Sequence, residues 1–223
     1  MSADPVFGEV DRYITDLFAP TDAALAAVER SIEEAGMPHI SVSPTEGKLL
    51  HLLALLCNAE RILEVGTLAG YSTIWMARAL PPGGRLITIE ANPAHAEVAR
   101  QNVEHAGLTG AVSVRVGRAL DVLPELVAEG QGTFDMIFID ADKAPYAEYL
   151  EWALQLAHPG TLLLADNVVR GGDVLNENAT DSDTIGIRRF NEALAAHGGV
   201  SGIVLQSVGT RGHDGIALAV VRR

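Results

Sequence analysis

The sequence predicts an α/β fold on a mostly parallel sheet covered by helices on both faces, and three observations carry that expectation. From about residue 60 onward, short apolar runs rich in β-branched residues alternate with segments of helical periodicity, the grammar of consecutive β-α-β units. Two of the runs, FDMIFID and GTLLLAD, end in carboxylates, as strands of a parallel sheet do when they deliver polar groups to a crevice. The last two, VSGIVLQSV and GIALAVVRR, lie close enough in sequence to pair as an antiparallel hairpin at one edge.

Before residue 60 the chain reads as helical. Thr21 is placed to cap a helix through DAALAAVERSIEEAG that ends at Gly36, and Ser43, Pro44 and Glu46 spell a capping box with proline at the first helical position. Residues 1–58 are thus expected to form a helical cap on an α/β core of residues 59–223, within one domain. In the core the expected order is strand RILEV, helix YSTIWMARAL, strand RLITIE, helix PAHAEVARQNVEHAG and strand AVSVRVG. Helix ALDVLPELVAEG, strand FDMIFID, helix APYAEYLEWALQLA, strand GTLLLAD, helix TIGIRRFNEALAAHG and the hairpin follow. One long irregular segment, Val168 to Asp183, directly follows a strand end, a position where loops commonly carry function or mobility.

With 223 residues, 48% of them hydrophobic, the chain is long enough for one substantial core. Its single cysteine, Cys57, lies in LLHLLALLCNAERILEV and reads as a small buried hydrophobe in a reducing cytoplasm. The opening MSADPVFGEVDRY lacks a basic region followed by an apolar one, so no secretory signal is expected. No uncharged apolar run reaches the roughly 18 residues a membrane helix needs. A net charge of -13 argues against nucleic acid and anionic membranes as partners, since both are bound through lysine and arginine. Trp75 and Trp152 fall on helical patterns and read as packing residues, and His213 beside Asp214 reads as a hairpin turn.

The chemistry concentrates at the strand ends. Asp140, Asp166 and Asn167 offer hard oxygen donors with no histidine or cysteine among them, a set suited to magnesium, calcium or manganese rather than zinc or copper. Lys143 stands beside them as a candidate base. In RILEVGTLAGYST a strand runs into Gly66, for a tight turn and close approach, and Gly70, for close helix packing. That spacing is neither the dinucleotide fingerprint nor a phosphate loop. Glu90, ending the next strand, is placed to accept both ribose hydroxyls of a nucleoside. Glu64 would repel a pyrophosphate but suit the ammonium and sulfonium of S-adenosylmethionine.

In combination and order, LEVGTLAGYS, TIEANP, FIDADK and LLADNVVRGG resemble the motifs of the cation-dependent class I S-adenosylmethionine O-methyltransferases of the catechol and caffeoyl-coenzyme A type. The resemblance runs from about Pro38 to the C-terminus, and DADK is the form of the caffeoyl-coenzyme A and bacterial branches. It implies a doubly wound, Rossmann-like sheet of seven strands with an antiparallel edge strand. It also implies that Val42, Glu64, Gly66, Thr67 and Ser72 surround the methionine part of the cofactor, that Glu90 holds the ribose, and that Ala119 contacts adenine through its backbone. Asp140, Asp166 and Asn167 match the family's metal ligands, Asp140 also lying near the cofactor amine, and Lys143 matches its general base. The implied reaction is methyl transfer from S-adenosylmethionine to a hydroxyl of a small catechol-like or caffeoyl-type phenol, with magnesium the expected cation, in a homodimer. The tryptophan usual after the DN pair is absent, with Val169 and Arg170 in its neighbourhood, so the acceptor pocket differs there. Two other functions fit a similar sheet: an NAD-dependent oxidoreductase, which the glycine spacing and Glu64 oppose, and a non-catalytic binding protein, which the intact Asp140, Lys143, Asp166 and Asn167 oppose.

Overall fold

The computed structural model describes residues 5–222. The first four residues of the segment read as lacking a secretory signal, and the terminal Arg223, lie outside them. Three helices come first: α1 (Pro5–Phe18), α2 (Ala23–Glu34) and α3 (Pro44–Leu56). The core follows as β1 (Arg61–Val65), α4 (Tyr71–Ala77), β2 (Arg85–Glu90), α5 (Pro93–His105), β3 (Val112–Val116) and α6 (Ala119–Ala128). It continues through β4 (Phe134–Ile139), α7 (Tyr146–Gln155), β5 (Ala157–Ala165), α8 (Ser182–Ala196), β6 (Val200–Gly209) and β7 (Gly212–Val221).

The seven strands form one sheet in the order β3-β2-β1-β4-β5-β7-β6. β1 to β5 run parallel, while β7 runs antiparallel to both β5 and β6. The reversed strand therefore sits one place in from the edge, and β6 is outermost. The order turns back between β1 and β4, which opens a crevice at their C-terminal ends. Alternate residues feed two cores: Leu63, Val65, Ile137 and Ile139 pack with α6, α7 and α8, whereas Ile62, Met136 and Phe138 pack with α2, α3 and α4.

Several local expectations are borne out and others need correction. Ser43 and Glu46 form the reciprocal capping box of α3, with Pro44 in its first turn. The cap of α2 is Asp22 rather than Thr21: its carboxylate accepts the Ala24 and Leu25 N–H groups at 3.0 Å each. Asp22 directly precedes the first helical residue, and a carboxylate there also meets the positive end of the helix dipole. Cys57 is half-buried at the α3 C-cap rather than fully enclosed, and burial raises its thiol pKa, against a reactive role. Within the Val168 to Asp183 segment, Arg170–Leu175 forms a short 3-10 turn, interrupted by Gly171 and Gly172 at positive φ. Among the described residues, no helix is long and apolar enough to cross a membrane.

Candidate active site

Parallel register brings the key residues side by side. Val65 pairs with Ile139, and Ile139 with Ala165, so Gly66, Asp140 and Asp166 emerge from three neighbouring strands at one level. Their backbones are tied by hydrogen bonds from Asp140 N–H to the Val65 carbonyl (2.8 Å) and from Asp166 N–H to the Ile139 carbonyl (2.9 Å). Above these ends lies a cavity of ≈ 1020 Å³, lined by Val42, Gly66, Thr67, Ser72, Glu90, Ala119, Asp140, Lys143 and Asn167 among others.

Gly66 has φ +98, and a Cβ on it would fall 1.9 Å from the Asp140 carbonyl oxygen. The close approach it permits is thus first of all between two strand ends. Gly70 differs from expectation: a Cβ there would make ordinary contact with Ala99 at 3.7 Å, so its φ of +87, not close packing, requires glycine. Glu90 is buried, with Oε2 accepting the Leu68 N–H at 2.8 Å and Oε1 the Asn92 N–H at 2.9 Å. The carboxylate so fixed borders the cavity.

Glu64 corrects the sequence reading. It is fully buried behind the cavity wall, where Ser72 and Thr73 donate their hydroxyls to its two oxygens. Burial raises its pKa to about 7 against the pull of those hydroxyls. It acts on the cavity through Ser72, which lines it, and not by direct contact. Thr67 likewise pairs its hydroxyl with Thr88, its N–H with Glu90 Oε2 and its carbonyl with the Gly70 N–H.

At the other end, Lys143 is buried, and its Nζ donates to Asp140 Oδ1 at 2.8 Å and to the Tyr146 hydroxyl at 2.6 Å. Asp166 is also buried; burial, then the charges of Asp140 and Glu46, push its carboxyl above the ordinary range. Lys143 is the cation counteracting this. Excess negative charge on hard oxygens, with the Asn167 amide beside it, is what a divalent cation would relieve. No three acidic, histidine or cysteine side chains converge among the described residues; Asn167, next to Asp166 and lining the same cavity as Asp140, could add an amide oxygen to the two carboxylates. The residues fit the ion.

The profile of the O-methyltransferase family matches residues 19–222. The chain belongs to the O-methyltransferase family. It is similar to the catechol O-methyltransferase of Niastella koreensis, 59% identical over 97% of this chain and 98% of that one. With the catechol O-methyltransferase of Mycobacterium tuberculosis it shares 45% identity over 100% of this chain and 99% of the other. Among solved structures, an O-methyltransferase from Bacillus cereus in complex with SAH superposes with a TM-score of 0.96 at 48% identity, covering 98% of this chain and 99% of that one. The likeness thus begins well before Pro38, and the S-adenosylmethionine O-methyltransferase class read from the motifs is borne out.

Within this O-methyltransferase, three contributors escaped the sequence reading. Tyr146 holds Lys143 from a fully buried position; the Lys-x-x-Tyr spacing, one helical turn, was the available signal. Thr73 shares Glu64 with Ser72. Asp214 makes no pair with His213, whose Nε2 lies 2.9 Å from Gln206 Oε1. Its Oδ1 instead accepts the N–H groups of Val169, Arg170 and Gly215, clamping the loop that follows Asn167.

Proposed function

We propose that the protein methylates one hydroxyl of a catechol-like or caffeoyl-type small molecule, with S-adenosylmethionine as donor and a divalent cation at Asp140, Asp166 and Asn167. The observation that carries this is that the Glu90 turn and the Lys143–Asp140 pair line one cavity. The cofactor would occupy the side bounded by Val42, Gly66, Thr67, Ser72, Glu90 and Ala119. That relatives at 59% and 45% identity are catechol O-methyltransferases, and that the Bacillus cereus enzyme binds SAH, supports the same acceptor and donor.

Phenols have a pKa near 10 and are weak nucleophiles until deprotonated. A divalent cation, which the donor set allows to be magnesium, calcium or manganese, would supply Lewis acidity that favours loss of that proton near neutral pH. Lys143 Nζ, aligned by Asp140 and Tyr146, is the group placed to take the proton. Asp140, between lysine and cofactor side, sets their separation. In the transfer the acceptor oxygen forms a bond to the methyl carbon, the sulfur–carbon bond breaks, and its electron pair stays on sulfur as a neutral thioether. Holding the two reactants in line is worth several kcal/mol, in the range of roughly 7–11 for ideal cases.

A homodimer belongs to the same reading. Val10, Tyr13, Leu17 and Phe18 of α1 are exposed, α1 packs beside β6, and Ile203, Leu205 and Val208 of β6 are exposed as well. Exposed apolar side chains on adjoining elements are what a second copy would cover. The lone half-buried Cys57 is in keeping with a cytoplasmic setting.

The test is incubation of catechol and caffeoyl-type acceptors with S-adenosylmethionine, with magnesium or with chelator, read by mass. A gain of one methyl that needs the cation is expected. Methylation that survives chelation and Asp166→Ala would remove the cation from the reaction, and no methylation of any vicinal diphenol would remove the acceptor class.

A further inference from the structure

A second cavity of ≈ 370 Å³ adjoins the first, and Ile40, Ser41, Val42, Asn167 and Arg170 line both. Asp166 lines only the second, so the oxygen cluster lies on the partition. An acceptor held at Asn167 with its ring across this partition would reach walls made by the segment before α3, the loop after Asn167 and the β6–β7 turn. Two arginines stand in those walls, Arg170 and Arg211.

Neither is held by a close carboxylate, as Arg78 and Arg115 are. Arg78 meets Asp22 at 2.8 Å, and Arg115 grips both oxygens of Glu129 at 2.8 and 2.9 Å. Arg170 has only Asp183 at 3.7 Å, a carboxylate itself about half exposed. Arg211 donates to the uncharged His39 carbonyl at 2.7 Å. The other carboxylates in this cavity besides Asp166 keep their charge but are turned to protein donors: Asp11 to Thr45 and Thr210, Glu46 to the Ser43 N–H, and Asp214 to three backbone N–H groups.

Arg170 is also held at a cost. Its φ of +56 is unfavourable for a side chain of this size, and the Asp214 carboxylate, accepting its N–H at 2.9 Å, keeps it there. Strained backbone that the surroundings enforce clusters at functional sites.

We propose that Arg170 and Arg211 make this enzyme selective for vicinal diphenols that carry a carboxylate on or next to the ring. The inference rests on the acceptor reading above and adds the anionic group to it. A carboxylate on the far side of the ring from Asn167 meets guanidinium forks that match it in charge and geometry, without change to the transfer step.

The test compares kcat/KM for a vicinal dihydroxybenzoate and for its primary amide, which keeps the shape and loses the charge. The wild-type protein is expected to favour the acid by about tenfold, the size of one charge-assisted hydrogen bond. Arg170→Met and Arg211→Met should each narrow that ratio at least about threefold through the KM of the acid, with Arg170→Lys restoring part of it. Raising salt from about 50 to about 500 mM should narrow it in the wild type as well, a measurement that needs no variant to fold. A wild-type ratio at or below one, or a ratio that salt and both folded variants leave unchanged, would overturn the proposal. Absence of transfer to both rings would overturn the diphenol reading itself, whereas equal transfer to both overturns only the selectivity.

Discussion

The Lys143 Nζ lies 2.6 Å from the Tyr146 hydroxyl, and that hydroxyl reaches the Asp166 carbonyl at 3.0 Å and the Ile139 carbonyl at 3.3 Å. One side chain thereby ties the lysine to the ends of both β4 and β5. Burial, with the charges of Asp140 and Asp166, keeps the Tyr146 phenol well above its usual pKa, so it remains a hydroxyl. Tyr146→Phe keeps the ring packing on Phe190 but leaves Lys143 with Asp140 alone. We expect kcat to fall about tenfold, below the full worth of an acid–base group, with cofactor affinity little changed. A loss confined to cofactor binding, seen by calorimetry, would mean that Tyr146 serves the other end of the cavity.

Glu64 makes stability depend on pH in a direction opposite to that of an ion-paired carboxylate. Its folded pKa of about 7 lies above its ordinary 4.5 because burial penalises the charge. The protonated form therefore supports the fold: its contribution is complete below about 4.5 and is lost as pH rises through about 7. The shift corresponds to at most about 3 kcal/mol. Glu64→Gln, always neutral, should flatten the denaturation midpoint between about pH 5 and pH 8 relative to wild type. Parallel profiles for the two proteins would show that the carboxyl is ionised throughout.

The fold and the outline of the site were legible because both depend on strand ends. The runs ending at Gly66, Glu90, Asp140 and Asp166 are short, apolar and bounded, and parallel register alone brings their ends to one level. The direction a side chain takes was not legible. Glu64 alternates with Leu63 and Val65, and only the packed α4 shows that it meets Ser72 and Thr73 instead of the cavity. Contacts across long sequence separations were equally hidden: Asp214, expected in the hairpin turn, lies in β7 and holds Arg170 from 44 residues away, a duty the sequence does not mark. The Asp22 cap shows a smaller limit, since Thr21 and Asp22 are both good caps and one residue of register decides between them.

Gly66 and Gly70 share a left-handed backbone but differ in what surrounds them. Alanine at Gly70 meets only the ordinary 3.7 Å contact with Ala99, so its cost is the conformation itself, about 1–2 kcal/mol. Alanine at Gly66 would drive its methyl into the Asp140 carbonyl, a main-chain atom that cannot move without parting β1 from β4. A cost above about 4 kcal/mol is expected there, in the exceptional class for a single substitution. Thermal melts of the two variants should rank them clearly, and a Gly66→Ala protein as stable as Gly70→Ala would show that the two strand ends separate easily.

Asp214 offers a way to loosen the acceptor side without touching any proposed ligand. Its Oδ1 accepts N–H groups from Val169 at 3.1 Å, Arg170 at 2.9 Å and Gly215 at 2.9 Å. The neighbouring Val168 N–H bonds the Gly215 carbonyl at 3.0 Å. Both Asn167 and Arg170 hold positive φ within this clamp, so its release lets the segment relax away from the geometry that aims them. Asp214→Ala leaves these N–H groups without their acceptor, at about 1–3 kcal/mol for each that stays buried. Magnesium affinity by calorimetry and acceptor KM should both worsen, by about tenfold or more. Cofactor affinity should hold, because Glu90 and the glycine turn lie on other strands. Asp214→Asn, which keeps an acceptor oxygen, should recover most of the loss; if it does no better than alanine, the charge of Asp214 and not its hydrogen bonds is what orders the loop.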